Sequence, residues 1–132
     1  MDPTVLVVDD DPATCHLIQK LLTPLGYAVT TVGDGDAALA AGAETRPRLA
    51  IVDVFLPGLD GLSVMRGLRQ DDPQLPVILM SAVDTVLTGH EGGPDGAECE
   101  CIPFLPKPFS LVTLLALVHQ QLPRPTAAPL AP

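Results

Sequence analysis

The stretch Leu49–Gly61, L-A-I-V-D-V-F-L-P-G-L-D-G, most constrains what this chain can fold into. Leu49 to Val52 are apolar without a break, Asp53 ends the run, and Leu56-Pro57-Gly58 forces a turn. A short continuous apolar run bounded by turn residues reads as a parallel strand buried on both faces. Asp53 then stands at the carboxyl end of that strand, the edge at which open α/β sheets bind their ligands. Taken alone, Asp53 reads as a helix or turn cap. Three other parts of the chain give it a different meaning.

Along the chain, Thr4–Val8 is a β-branched apolar run read as a first strand, followed directly by Asp9, Asp10 and Asp11. Pro12 suits a first helical position with Asp11 as N-cap. Leu17, Ile18, Leu21, Leu22 and Leu25 recur at helical spacing, so this helix is expected to reach Leu25, with Gly26 beyond its end. Tyr27–Val32 reads as a second strand, Asp36–Ala43 as an Ala-rich helix, Leu49–Asp53 as the third strand and Leu62–Arg69 as the next helix. Pro76–Met80 is the fourth strand, followed by Ser81. A short helix is expected over Asp84–Thr88, and then a loop over Gly89–Glu100, because four glycines and Pro94 between Gly89 and Gly96 oppose a helix. Cys101–Leu105 is the fifth strand; Pro103 and the following Pro106 place it on a sheet edge. Ser110 caps a last helix that presents Leu111, Leu114, Leu115 and Val118. Strands alternating with helices imply a doubly wound, five-stranded parallel sheet in a three-layer, flavodoxin-like α/β sandwich. One unit is expected over residues 1–122, followed by a disordered Pro/Ala tail over residues 123–132.

Composition narrows the function. A net charge of −9 repels phosphates, so this chain is not expected to bind DNA. The odd set Cys15, Cys99 and Cys101 fits a reducing cytoplasm better than a disulfide framework, and Cys99-x-Cys101 lacks the spacing and second pair of a zinc site. A signal peptide and an 18-residue apolar run are both missing, so neither export nor membrane insertion is expected.

Polar residues now stand at four strand ends: Asp9 and Asp10 after the first, Asp53 at the end of the third, Ser81 after the fourth and Lys107 after the fifth. In strand order 2-1-3-4-5 these strands are neighbours, and the five side chains converge at the switch point between strands 1 and 3. Three carboxylates that close repel one another, and a hard divalent cation with oxygen ligands, Mg²⁺, relieves this. A carboxylate, a Mg²⁺, a lysine and a hydroxyl are the parts needed to accept a phosphoryl group.

V-L-V-V-D-D-D-P from Val5, I-V-D-V-F-L-P-G-L-D-G from Ile51, L-M-S-A from Leu79 and L-P-K-P-F from Leu105 resemble, in that order, the signatures of receiver domains of bacterial two-component response regulators. The resemblance runs from about Val5 to Leu122 and implies the CheY-like form of the sandwich. It implies that Asp53 is the phosphoacceptor, taking its phosphoryl group from a histidine kinase. It implies Asp10 as a direct Mg²⁺ ligand, Asp9 as a ligand acting through water, and the backbone carbonyl of Phe55 as a third. Ser81 matches the switch hydroxyl, Lys107 the phosphate-pairing lysine and Phe104 the aromatic switch position; ordinary core packing is the other reading of Phe104. A cis Lys107–Pro108 peptide is expected as well.

The chain departs from the pattern in three places. Phe55 stands where a polar residue is common and is expected to hinder attack by water. The segment from Ser81 to Lys107 is longer and rich in glycine and proline, so the fourth helix is expected to be short or irregular. Pro103 and Pro106 remove two N–H donors from the edge strand, which weakens pairing there.

The function expected is a phosphorylation-controlled receiver acting on a downstream protein, as a single-domain regulator or the receiver of a hybrid sensor kinase, and not as an enzyme. The alternative is a pseudo-receiver that binds partners without phosphorylation; the complete acidic set, Ser81 and Lys107 argue against it. A phosphatase of the haloacid-dehalogenase type needs a second Asp two residues after the nucleophile, where Phe55 stands. A flavin-binding flavodoxin needs a hydroxyl-rich phosphate loop, where Asp9-Asp10-Asp11 has the wrong charge.

Overall fold

A computed structural model describes residues 4–81 and 103–122. In chain order these form β1 (Thr4–Val8), α1 (Pro12–Leu22), a 3₁₀ turn (Thr23–Leu25), β2 (Ala28–Val32), α2 (Gly35–Thr45), β3 (Leu49–Asp53), α3 (Gly61–Asp71), β4 (Val77–Ser81), β5 (Phe104–Pro106) and α4 (Leu111–Gln121). The strands make one parallel sheet in the expected order, β2-β1-β3-β4-β5. Its register sets Val8 beside Val52, Asp53 beside Met80 and Ser81 beside Pro106, so the carboxyl ends of β1, β3, β4 and β5 form one rim.

Side chains alternate across a strand, and here the alternation sorts the core into two layers. Val5, Val7, Leu49, Ile51, Ile78, Met80 and Leu105 face α1 and α4, where they meet Ile18, Leu22, Leu114 and Val118. Leu6, Val8, Ala50, Val52, Val77 and Leu79 face α2 and α3, where they meet Ala38, Val64, Met65 and Leu68. Both faces of β3 are buried, which is why its sequence carries no polar residue before Asp53. Each fully buried aliphatic side chain contributes about 1.5–3 kcal/mol.

The helix starts follow local chemistry. Asp11, Asp34, Asp60 and Ser110 each accept backbone N–H groups from the first turn of α1, α2, α3 and α4. Asp60 therefore caps α3, and α3 starts at Gly61 instead of Leu62. The first helix stops at Leu22, three residues short of Leu25. Pro24 has no N–H for an α-helical bond, so the chain tightens into the 3₁₀ turn and leaves through Gly26 at φ 100°. Within the described residues β5 spans Phe104–Pro106, so Pro106 lies inside the strand instead of following it; an edge position tolerates the missing donor. Cys101, the helix expected over Asp84–Thr88, the loop over Gly89–Glu100 and the tail over 123–132 lie outside the described residues.

Candidate functional site

The rim brings together side chains that are distant in sequence. Asp9 follows β1 and is fully buried, and Asp53 ends β3 and is 6% exposed. Lys107 Nζ lies 2.6 Å from Asp9 Oδ2 and 3.0 Å from Asp53 Oδ2, so one ammonium bridges two buried carboxylates. The other oxygen of each carboxylate is held locally. Asp9 Oδ1 accepts the Asp11 N–H at 2.9 Å, and Asp53 Oδ1 accepts the Phe55 N–H at 3.0 Å. Both aspartates are thus pinned by the N–H two residues on, and both present their second oxygen to the lysine. Lys107 is itself held by its N–H, which donates to the Ser81 carbonyl at 2.9 Å, and its peptide to Pro108 is cis, as expected.

Charge balance sets the electrostatics. Burial pushes the Asp9 carboxyl above its usual range; the hydrogen bond from Lys107 works against this without cancelling it. Burial also works against the Lys107 ammonium, but its hydrogen bonds to Asp9 and Asp53 together prevail and hold its pKa above the ordinary lysine value. Asp10 is exposed, and one carboxylate oxygen each from Asp9, Asp10 and Asp53 lie within 4.8 Å of one another. Among the described residues, the ammonium of Lys107 contacts two of these three carboxylates, Asp9 and Asp53. An all-oxygen donor set with excess negative charge, half open to water, suits a hard divalent cation such as Mg²⁺.

Residues 5–119 match the family model of the response regulator receiver domain. The chain belongs to that family. MprA, a response regulator of Mycolicibacterium vanbaalenii, is 40% identical over 126 residues, covering 96% of this chain and 53% of that protein. The chemotaxis protein CheY4 of Vibrio cholerae superposes with a TM-score of 0.80 at 27% identity, covering 92% of this chain and 100% of that one. The receiver domain of the sensor histidine kinase PA1611 of Pseudomonas aeruginosa superposes with a TM-score of 0.75 at 28% identity, covering 92% and 98% of the two chains. That structure holds a magnesium ion in its active-site cleft. The chain spans about half the length of the curated relatives it matches.

Within the receiver, the expected residues fall into three groups. Asp9, Asp53 and Lys107 touch, and Asp10 lies beside them on the solvent side. Ser81 is fully buried at the end of β4 and is tied to the group through its carbonyl. Phe104 and Phe55 form the third group. Phe104 is half-buried against the core layer under α2 and α3, and the Phe55 side chain is 54% exposed while its N–H reaches Asp53. His16 and His119 are exposed on α1 and α4, as their polar helix positions imply.

Two contacts were not read from the sequence. The Cys15 thiol donates to the Asp9 carbonyl at 3.3 Å, and burial pushes that thiol up. Gly61 abuts the backbone of Asp53 and Val54 so closely that a Cβ would lie 2.3 Å from the Asp53 carbonyl oxygen. A glycine at the first position of a helix, one residue after its cap, was the available signal.

Among the described residues, no helix is long and apolar enough to cross a membrane.

Proposed function

We propose that this receiver accepts a phosphoryl group on Asp53 from the phosphohistidine of a histidine kinase. The observation that carries the reading is the Asp53 carboxylate: it ends the central strand at the rim, beside the exposed Asp10, and is aimed by Lys107 and the Phe55 N–H. In the transfer a carboxylate oxygen of Asp53 bonds to phosphorus while the P–N bond breaks. The bonding pair leaves with the imidazole nitrogen. Lys107, already between Asp9 and Asp53, neutralises phosphate oxygens as the charge moves onto Asp53. Asp10 and Asp53 would hold Mg²⁺ directly, Asp9 through water and Phe55 through its carbonyl. The ion supplies charge neutralisation to the transferring group.

Ser81 is the hydroxyl that answers the new phosphate, and Phe104 the aromatic group whose packing follows. The unit that does this is residues 1–122. It works in the cytoplasm, changes shape rather than turning over a substrate, and passes the change to a downstream protein.

The test is intact-mass spectrometry after incubation with acetyl phosphate and Mg²⁺. The wild type should gain one phosphoryl group and Asp53→Asn none. Equal labelling of the variant would remove Asp53 from the role; an unlabelled wild type would favour a phosphorylation-independent binding module.

A further inference from the structure

We propose that Gly61 is a positioning residue for this site: having no side chain, it lets α3 begin against the Asp53–Val54 peptide and thereby fixes the Asp53 carboxylate and the Phe55 backbone. The inference rests on the reading of the site as Mg²⁺-binding and deepens it.

The segment from Asp53 to Gly61 is a closed loop. Its neck is the Gly61 N–H, which donates to the Val54 carbonyl at 2.9 Å. Gly58, at φ 78°, reverses the chain inside the loop, and Asp60 caps α3 at its far end. Phe55, whose N–H aims Asp53 and whose carbonyl is the proposed ligand, lies just beyond the neck. The position of that carbonyl therefore depends on how tightly the neck closes.

A Cβ at residue 61 would lie 2.3 Å from Asp53 O, 2.6 Å from Val54 Cα and 2.9 Å from Asp53 C. All three are backbone atoms, so no side chain can swing away. The strand cannot retreat, because the Val54 N–H is bonded to the Met80 carbonyl at 2.9 Å and Val54 is buried. The helix is backed from the other side as well: at Gly35, the start of α2, a Cβ would already meet Leu59 Cβ at 2.6 Å and Val64 Cγ2 at 3.0 Å. The clash must be relieved within residues 54–60. Opening the 2.3 Å contact to an ordinary 3.4 Å displaces the neck by about 1 Å. Mg²⁺ demands near-ideal octahedral geometry, with oxygens at about 2.0–2.1 Å. A shift of that size takes the Phe55 carbonyl and the Asp53 carboxylate out of a common coordination sphere.

The experiment compares the full 132-residue chain with Gly61→Ala and with Val118→Ala, a core truncation in α4 that leaves the loop alone. Calorimetric titration with Mg²⁺ gives the dissociation constant, and acetyl-phosphate labelling at graded Mg²⁺ gives the half-saturating concentration. Gly61→Ala should weaken both tenfold or more, while Val118→Ala, destabilised in melts, keeps the wild-type values. Wild-type Mg²⁺ affinity in Gly61→Ala, or equal weakening in Val118→Ala, overturns the role of Gly61 alone. A wild type that takes neither Mg²⁺ nor a phosphoryl group overturns the reading of the site and this inference with it. Should Gly61→Ala fail to fold, amide exchange in the wild type decides. The Gly61 N–H should exchange slowly and slow further with Mg²⁺; fast exchange, or no response to Mg²⁺, overturns the proposal.

Discussion

Replacing Lys107 with methionine removes the ammonium that bridges Asp9 and Asp53 at 2.6 and 3.0 Å while keeping most of the stem. At an effective dielectric constant of about 20, each contact is worth roughly 6 kcal/mol before desolvation. The loss seen on unfolding is smaller, because the variant has an escape: Asp9 can take up a proton. Holding a carboxyl protonated at pH 7 against an ordinary pKa of about 3.9 costs about 4 kcal/mol, and this caps the deficit. Breaking a buried pair by removing one partner typically costs about 3–5 kcal/mol, so a loss of about 2–4 kcal/mol is expected at pH 7. The cap falls by about 1.4 kcal/mol per pH unit, leaving roughly 1.5 kcal/mol at pH 5. The sign follows from Asp9, whose folded pKa lies above its ordinary value and rises further without the lysine. Such a group stabilises the fold at low pH and loses that contribution as the pH rises through the folded value. Urea unfolding followed by far-UV circular dichroism at pH 5 and pH 7 measures both deficits. A deficit equal at the two pH values, or larger at pH 5, would refute the account of two buried carboxylates sharing one cation.

In Asp9→Asn the pH-dependent part of that balance is gone, so the wild type should lose stability relative to the variant as pH rises from 4 to 7; the opposite slope in paired melts contradicts the raised Asp9 pKa. Lys107 has a folded pKa above the ordinary lysine value of about 10.4, so its contribution should be intact below pH 10 and fade above that, read as alkaline unfolding of the wild type absent from Lys107→Met. Asp60→Ala removes the cap that accepts the Ser63 N–H at 2.8 Å and should cost about 1 kcal/mol in urea unfolding; no loss would mean that the cap is not holding α3. Cys15 is buried with its thiol pKa pushed up, so peptide-mapped mass spectrometry should find it alkylated by iodoacetamide slowly in the native protein and rapidly in urea.

Much of this molecule is legible locally. The apolar runs at Thr4–Val8 and Leu49–Asp53 mark strands buried on both faces, and the sheet contains them with those boundaries. Asp11 before Pro12 and Ser110 before Leu111 announce helix starts because a capping side chain acts within three residues. Helix ends were less legible. The heptad-like leucines carried the first helix to Leu25, whereas Pro24 ended it earlier through its own missing N–H. Arg46 closes α2 at φ 50°, a left-handed cap that glycine usually provides and that arginine does not signal.

The sequence by itself determined the layers, the polar residues at the strand ends, and the chemistry they share, because these depend on periods of two and four residues and on residue type. It did not determine that Asp9 rather than its neighbour Asp10 takes the lysine. Adjacent side chains at a strand end point to opposite sides, and only the register of β1, β3, β4 and β5 decides which one meets Lys107, 98 residues away. The same holds for Gly61. Its residue type permits a close approach, but the pressure of α3 on β3 that makes the glycine necessary exists only once both elements are packed.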